Sequence, residues 1–256
     1  MSGVVITASG VDASANNIGL VLPYATNCEA FGILGGTTAR SQKNYALGKA
    51  DFVLVGSPAI STNSVQFVNA TKWLQTSVAE SDNLTAIVVC SAAKQNCFYV
   101  SNSGTTRSGA PSIYPNGFQF KAANQGGSPT DNNLTSTIGY YDGTVSGAAG
   151  GIQTPTLTRV ARAGYRCASA RFDNSTQILK TNDLTAGDSS TVGSPTGVRD
   201  KLGMFRVGSS YLGNGGHADA VDILGFAIYS EALSDDNLAL VYNWFKTYYA
   251  RRGISI

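Results

Sequence analysis

The segment VDILGFAIYSEALSDDNLALVYNWFKTYY, residues 221–249, joins an apolar run to a helical pattern. Val221 to Tyr229 is apolar at successive positions apart from Asp222, which predicts a strand that is covered on both faces. Ser234 then stands at an N-cap position, and Asp235 and Asp236 fall in the first turn, where the helix dipole favours negative charge. A strand followed at once by a capped helix predicts a sheet with a helix packed against it.

The helix predicted over residues 235–250 has an apolar and aromatic face. Its members recur at helical spacing: Leu238, Val241, Tyr242, Phe245 and Tyr248. Arg251 and Arg252 follow the helix, where positive charge is favoured. We expect this helix to pack on a sheet and to stabilise the terminal strand. Of the two tryptophans, we assign Trp244 to this packing and Trp73 to the core.

The rest of the chain predicts short strands separated by turns. Its 29 Gly residues, with frequent Ser, Thr and Asn, favour turns over long helices. Apolar strand patterns recur at about ten-residue spacing, which is typical of a β-sandwich or barrel: DFVLVGSP (51–58), SVQFV (64–68), TAIVVC (85–90) and CFYV (97–100). No internal repeat or linker divides the 256 residues, so we expect one large domain.

Charge and hydrophobicity argue against several classes of function. The formal net charge is +2 and 13% of the residues are charged, which indicates neither nucleic-acid binding nor disorder. The densest basic cluster has neither a convincing row of stacking aromatic residues nor a strongly basic overall balance, so we interpret it as a solvent-facing row or a subunit contact: Arg159, Arg162, Arg166 and Arg171. No apolar stretch approaches about 18 residues and the N-terminus lacks a secretory pattern, so we expect no membrane insertion and no export.

The cysteines and the histidine do not indicate a zinc site. Cys28, Cys90, Cys97 and Cys167 include no Cys-x-x-Cys pair, and His217 is the only histidine. Cys90 and Cys97 either bridge across a hairpin or, like the other two, are small buried side chains.

Calcium is the one cofactor that the sequence leaves open, and none is required. Oxygen ligands could come from two groups of side chains, neither of which has the spacing of a dedicated cation loop: Asp131, Asn132, Asn133 and Asp142, or Asp219 and Asp222. We therefore assign no metal-binding residue.

Three segments resemble a known family. The ending DILGFAIY (222–229), EALSD (231–235) and helix resembles the close of concanavalin A-like lectin/glucanase domains, in their laminin-G-like and pentraxin-like group. MFRVGSS (204–210) resembles the strand before that close, and KNYALGKADFVLVGSPAISTNSVQFVNATKWLQT (43–76) resembles the family's opening. The resemblance covers residues 43–256 and implies an all-β jelly-roll β-sandwich with one C-terminal α-helix packed on it. Residues 1–42 would then form an N-terminal arm and a first strand, for attachment or subunit contact.

This fold serves lectins, adhesion modules, hydrolases and viral structural proteins, so function has to be argued from the site. Glycoside hydrolysis normally needs two carboxylates, and the glucanase members of the family carry a Glu-x-Asp-x-x-Glu strand. Glu29, Glu80 and Glu231 form no such pattern, and Asp219 and Asp222 are the nearest candidates for an acid and a base. No Gly-x-Ser-x-Gly elbow accompanies the lone histidine. We assign no catalytic residue and expect a protein that is not an enzyme.

The segment from Ser101 to Gly151 is dense in small polar residues and predicts surface loops, where binding groups often lie. Aromatic rings can stack on sugar faces while amides and carboxylates bind the rim, although roughly half of these rings should be ordinary core. The candidate ligand-binding residues are Tyr99, Tyr114, Asn116, Phe118, Asn124, Tyr140, Tyr141 and Asp142.

The resemblance extends in style to domains of tailed-phage virion proteins. It implies a bacteriophage structural protein, a tail fibre or spike tip or a capsid decoration, whose lectin-like domain recognises a host surface glycan. Its partners would be other virion proteins, a host cell-surface glycan and further copies of itself in a homotrimer, and its place would be the virion surface. The alternatives are a carbohydrate-binding or adhesion module of cellular origin and a glycan hydrolase.

Overall fold

The apolar run near the C-terminal end forms an interior strand of one of two antiparallel sheets in the computed structural model. The structure describes residues 21–92, 96–104, 117–124, 131–141, 149–161, 163–193, 197–199, 201–212 and 217–256. Within these ranges the two sheets stack face to face, and a long helix covers the outer side of one of them. The predicted β-sandwich with a C-terminal helix is therefore confirmed.

Eight strands of the described ranges form the sheet that we call sheet A. They are β1 (Cys28–Ile33), β3 (Ala59–Ile60), β4 (Val65–Phe67), β6 (Leu84–Ser91), β12 (Tyr165–Asp173), β13 (Ile178–Asp183), β14 (Asp188–Gly193) and β17 (Val221–Tyr229). Hydrogen-bonded neighbours run in the order β14-β13-β12-β6-β17-β4-β3, and β1 also pairs with β17.

Nine strands in the described part of the chain form the second sheet, sheet B. They are β2 (Val53–Val55), β5 (Trp73–Ala79), β7 (Cys97–Ser101), β8 (Phe118–Asn124), β9 (Asp131–Tyr141), β10 (Ala149–Gln153), β11 (Thr156–Ala161), β15 (Val198–Arg199) and β16 (Met204–Val207). The order is β10-β9-β8-β7-β16-β5-β2, with β11 and β15 also paired to β9. A short helix, α1 (Thr38–Gln42), follows β1, and the long helix is α2 (Asp235–Ala250).

Strand β17 is covered on both faces, as its sequence predicts. Ile223, Phe226 and Ile228 point into the core between the sheets and have no exposed surface. Leu224 and Tyr229 belong to the other face, in the apolar layer beneath α2. Side chains alternate along the strand, with a register shift between Ile223 and Gly225 that changes the phase, and one apolar run therefore supplies both layers.

Helix α2 begins and ends as predicted, at residues 235 and 250. The Ser234 hydroxyl caps the helix by accepting a hydrogen bond from the Asn237 backbone N–H at 3.2 Å. Leu238, Val241 and Phe245 are buried as predicted, and Tyr249, which the predicted face omits, is also fully buried. The Tyr249 hydroxyl donates to the Leu224 carbonyl oxygen at 2.5 Å and so ties the helix to β17. The half-buried Trp244 packs there too, edge-on to Phe31 at a ring-centroid distance of 5.1 Å.

Residues 28–42, which lie before the predicted start of the sandwich domain, contain β1 and α1. Residues 30–33 of β1 pair with residues 225–228 of β17. Gly32 is required there, because a Cβ at that position would stand 2.2 Å from the Phe226 ring. Leu22 and Tyr24, which precede β1 and belong to no helix or strand, pack against the layer beneath α2. The role of residues 1–42 in attachment or subunit contact stays a prediction.

The four cysteines are free thiols, and all of them are buried. Cys90 and Cys97 therefore do not form the disulfide that was one of the two alternatives. Burial raises the pKa of the Cys90 thiol to about 12.

Among the described residues, no helix is long and apolar enough to cross a membrane.

The predicted basic row does not lie as a row on the surface. Arg166 is buried against Asp183, with Nε 3.1 Å from Oδ2 and side-chain exposures of 6% and 4%. Arg171 contacts Asp235 at the start of α2 with 14% of its side chain exposed. The interpretation of these two residues as solvent-facing is wrong, because strand alternation places each against a carboxylate. The side chains of Arg159 and Arg162 lie outside the described residues.

Candidate functional site

The outer face of sheet B carries the clearest candidate site. On β5, Leu74 points into the core, so its neighbours Trp73 and Gln75 point outward. On β16, Arg206 lies between the core residues Phe205 and Val207 and also points outward. The two strands pair with Arg206 opposite Gln75, which places these side chains side by side.

We call Trp73, Gln75, Arg206 and Tyr211 the Trp73 cluster. The Arg206 guanidinium carbon lies 4.2 Å from the Trp73 ring centroid and 3.5 Å from the Tyr211 ring centroid. Stacking of a guanidinium on two rings is an attractive cation–π arrangement. The Trp73 indole N–H is a buried donor with no hydrogen-bond partner among the described groups.

Hydrogen bonds hold the Trp73 cluster in one geometry. Arg206 Nε donates to Gln75 Oε1 at 3.3 Å, and Arg206 Nη1 donates to the Ser210 carbonyl oxygen at 3.0 Å. Gln75 Nε2 donates to the Tyr211 hydroxyl at 3.1 Å, and that hydroxyl donates to the Met204 carbonyl oxygen at 3.0 Å. The cluster is therefore fixed before any ligand arrives, which reduces the entropy lost on binding.

Arg206 carries a charge that no carboxylate of the described residues neutralises. Among the described residues, no Asp or Glu oxygen lies within 4.0 Å of its guanidinium. Burial lowers the pKa of Arg206, and the adjacent Tyr211 acts in the opposite direction. An arginine guanidinium stays protonated in proteins. The Trp73 cluster is therefore a positively charged aromatic site.

A second group of similar composition lies on the same face, and we call Phe98, Gln119, Lys121 and His217 the Phe98 cluster. Lys121 Nζ lies 5.6 Å from the Phe98 ring centroid and donates to Gln119 Oε1 at 2.8 Å. The His217 ring stands edge-on to Phe98 at a centroid distance of 4.8 Å. Burial lowers the pKa of His217 to about 4, with a smaller contribution from the Lys121 charge, and burial also lowers the pKa of Lys121.

Three of the sequence-predicted binding residues lie in the core. Tyr99 and Phe118 have no exposed surface and Tyr140 is 1% exposed, and all three belong to the cluster between the sheets. Each fills space there, as in the pairing of Phe118 with Phe205 at a ring-centroid distance of 5.7 Å. Tyr140 also donates to Gln153 Oε1 at 2.8 Å.

The remaining predicted residues are placed differently. Tyr141 is half-buried and, as the residue after Tyr140, points to the outer face of sheet B. Asn124 is the last residue of β8, and its side chain lies outside the described part of the chain. Three others also lie outside it, so their role in binding stays a prediction: Tyr114, Asn116 and Asp142.

The assignment of Trp73 to the core is wrong, because Trp73 is half-buried on the outer face. The alternation in WLQTSVA (73–79) contained the signal that would have found it. Leu74 and Val78 are the apolar members of one face, and Gln75 and Ser77 place Trp73 with the polar face.

A groove on the other side of the molecule is charged but internally neutralised. It has a volume of about 390 Å³ and lies between β12, β13 and the start of α2. Arg171 Nη2 lies 2.6 Å and Lys180 Nζ 3.8 Å from the same Asp235 oxygen. Since Asp235 already contacts both cations, this groove offers a ligand less unsatisfied charge than the Trp73 cluster does.

The two aspartates weighed as hydrolytic groups are engaged within the fold. Asp222 on β17 accepts a hydrogen bond from Gln66 Nε2 at 3.4 Å. Asp219 accepts one from the Asn96 backbone N–H at 3.2 Å, and its own N–H donates to the Asn96 carbonyl oxygen. In this arrangement both carboxylates hold neighbouring segments of the chain together through hydrogen bonds.

The predicted calcium ligands do not converge in the part of the chain that the structure describes. Asn132 and Asn133 are consecutive on β9, so their side chains point to opposite faces. Asn132 Nδ2 donates to the Ala92 carbonyl oxygen at 3.3 Å. In the described ranges, no three His, Cys, Asp or Glu side chains come close enough to hold a metal ion. The described members of the set therefore do not form a calcium site, and Asp142 lies outside the described residues.

Comparison with known proteins gives information on the fold alone. No protein-family model matches the chain, and a search of curated proteins found no match. Solved structures with a similar fold include the ligand-binding domain of botulinum neurotoxin serotype D in complex with N-acetylneuraminic acid, at a TM-score of 0.57 and 12% identity over 85% of this chain and 50% of that chain. The binding domain of botulinum neurotoxin DC in complex with SialylT has a TM-score of 0.57 and 8% identity over 86% of this chain and 52% of that one.

The binding domain of serotype C1 is a further structure of this kind, with a TM-score of 0.53 and 8% identity over 85% of this chain and 52% of that one. The chain thus spans about half the length of the solved chains that it matches. These neighbours are binding domains by their descriptions, and the likeness supports the β-sandwich fold. Membership of the concanavalin A-like family stays a prediction.

Proposed function

We propose that this protein is a carbohydrate-binding module of the lectin type and that its outer sheet B face binds the glycan. The Trp73 cluster is the observation that carries the proposal, because it combines two fixed aromatic rings with amide and guanidinium donors on a half-buried surface. The structural neighbours support it, since one of them is a binding domain in complex with N-acetylneuraminic acid.

The chemistry of the Trp73 cluster suits a sugar better than an apolar ligand. Pyranose rings present a C–H-rich face to an aromatic ring and hydroxyl groups at the rim, so they need both apolar area and oriented donors and acceptors. Trp73 and Tyr211 supply the rings, while Gln75 and Arg206 supply the polar groups at the rim. No covalent step is required of these residues, which agrees with a role in contact and not in turnover.

A glycan array probed with the purified chain tests this proposal. We expect Tyr211→Ala and Trp73→Ala each to weaken binding of the best glycan about tenfold or more, as for an aromatic residue at the centre of a binding surface. Tyr242→Ala is the matched control, because Tyr242 is a half-buried tyrosine under a cation, Lys246, on helix α2. A chain that binds no glycan, or an equal loss in the control variant, would contradict the proposal.

The same array separates recognition from hydrolysis. A bound glycan that is recovered unaltered supports a binding module. Release of oligosaccharides that stops on Asp219→Asn would instead support the alternative of a glycan hydrolase, and an unaffected release would remove Asp219 from consideration.

We further propose the biological setting that the sequence resemblance implies. In this setting the protein is a bacteriophage virion component, in a tail fibre, spike tip or capsid decoration, that contacts a host cell-surface glycan from the virion surface as a homotrimer. Mass measurement by light scattering tests the trimer, and co-sedimentation with purified tails and capsids tests the location. Binding to host envelopes without association with any virion part would favour a cellular adhesion module.

A further inference from the structure

The two clusters on the outer face of sheet B share one composition. In each, a cation lies over an aromatic ring and donates to a glutamine side-chain oxygen: Arg206 with Trp73 and Gln75, and Lys121 with Phe98 and Gln119. Both cations are half-buried on strands of the same sheet. The outer face of sheet B therefore presents two positively charged groups in fixed positions.

These two cations differ from the others on the strands. Four arginines on strands have side chains that the structure describes. Arg166, Arg171 and Arg199 each contact a carboxylate, and Arg206 does not. Lys180 on β13 likewise lies 3.8 Å from Asp235, whereas Lys121 has no Asp or Glu oxygen within 4.0 Å among the described residues. Partly buried charges are normally paired, because desolvation of an unpaired charge is costly. An anionic ligand would supply the missing partner for both.

The spacing of the two clusters fits an extended ligand. Arg206 lies opposite Ser101 on β7, and Lys121 on β8 lies opposite Phe98 on the same β7. The two cations are therefore three residues apart along the strands and two strands apart across the sheet. Each of these separations is about 10 Å. A single sugar ring cannot reach both positions, but an oligosaccharide lying diagonally across the sheet can.

We propose that the ligand of this face is an acidic saccharide chain, with one anionic group bound at Arg206 and a second at Lys121. This inference rests on the proposed function and names the class of glycan. The planar guanidinium of Arg206 suits a carboxylate or sulfate through paired hydrogen bonds, while the ammonium group of Lys121 acts as a point charge. Neutral sugars in the same chain would contact the half-buried rings of Trp73 and Tyr211, whereas the Phe98 ring is buried beneath Lys121.

Isothermal titration calorimetry of the full chain tests the inference with polygalacturonate, hyaluronan and polysialic acid, each beside its carboxyl-reduced, neutral form. We expect at least one acidic polymer to bind about tenfold or more tightly than its reduced form, since a hydrogen bond to a charged group contributes that much. The affinity should fall as salt rises, because ions screen the charges. Arg206→Gln and Lys121→Gln should each remove most of this preference.

The chain offers matched controls on the opposite layer. Arg252, just after helix α2, lies 3.7 Å from the Tyr248 ring centroid, and Lys246 on the helix lies 5.6 Å from the Tyr242 ring centroid, which reproduces both kinds of cation–ring pair. Arg252→Gln and Lys246→Gln should leave the preference unchanged. An equal loss in these variants would mean that overall charge attracts the polymer, and the inference would be wrong.

A direct measurement covers the case in which a charge variant does not fold. In the unmodified protein, the indole N–H resonance of Trp73 should shift on addition of the acidic polymer and stay in place with the reduced polymer, while Trp244 serves as the internal reference. Equal binding of acidic and reduced polymers would show that the ligand is not recognised by its acidic groups, while the proposed carbohydrate-binding function would still stand. A failure to bind any acidic or neutral glycan overturns both.

Discussion

Glu80 and Arg199 form a buried ion pair at the end of the sandwich, and removal of the carboxylate gives a quantitative test of the structure. The side chains of Glu80 and Arg199 are 0% and 5% exposed. Glu80 accepts hydrogen bonds from Arg199 Nη2, from Asn102 Nδ2 at 2.6 Å and from the Leu202 N–H at 3.1 Å. Arg199 also lies 4.4 Å from the centroid of the Phe172 ring on sheet A. The pair therefore connects both sheets.

Glu80→Ala should lower the free energy of unfolding by about 3–5 kcal/mol, because it leaves the Arg199 guanidinium buried without a carboxylate. For a chain of this size each kcal/mol corresponds to about 2–4 °C, so the melting temperature should fall by roughly 10 °C. Urea denaturation followed by far-ultraviolet circular dichroism measures the change.

Asp82→Ala is the matched control in the same loop. Asp82 and Lys201 form an ion pair of 2.7 Å, but their side chains are 66% and 45% exposed. Solvent screens such a pair, so its removal should cost less than about 1 kcal/mol. A cost for Glu80→Ala that equals the cost of this control would refute the reasoning, since burial would then add nothing to the pair.

Three further outcomes follow from the core and the single histidine. Phe245→Ala, at a fully buried ring stacked 5.1 Å from Phe31, should cost about 3–5 kcal/mol in the same denaturation assay, and a cost below 1 kcal/mol would mean that α2 does not cover sheet A. The His217 resonance should titrate in the folded protein with a pKa of about 4. Since the unfolded chain binds that proton at about pH 6.5, stability should fall as pH drops from about 6.5 to about 4, and a folded midpoint near 6.5 would contradict the burial of the ring. Ellman's reagent should leave Cys90 unmodified in the folded chain, because its pKa is raised to about 12, and should modify it once guanidinium unfolds the protein; rapid modification under native conditions would show that the strand opens.

The last strand and the C-terminal helix could be predicted because their sequence signals are local. Ser234 caps α2 by accepting a hydrogen bond from the backbone N–H only three residues further on, and the apolar run of β17 is continuous in sequence. The binding face could not be predicted in the same way, since Trp73 lies far along the chain from Arg206 and Tyr211 and meets them only through the register of β5 with β16. Nearness in sequence to a polar loop was also a poor guide, because the phase of a strand decides which side chains point inward.

The distribution of covered and open faces explains why sheet B carries the candidate site. Helix α2 covers the outer face of sheet A with an apolar layer that includes Phe245 and Tyr249, so that face is used for stability. In the described ranges no long helix covers the outer face of sheet B, and the two clusters there consist of polar and aromatic side chains joined by hydrogen bonds. The sandwich thus has one face stabilised by a helix and one face available to a ligand. If the acidic polymers shift Trp244 and leave Trp73 unchanged, this division of the two faces is wrong, and the groove beside α2 becomes the site to examine.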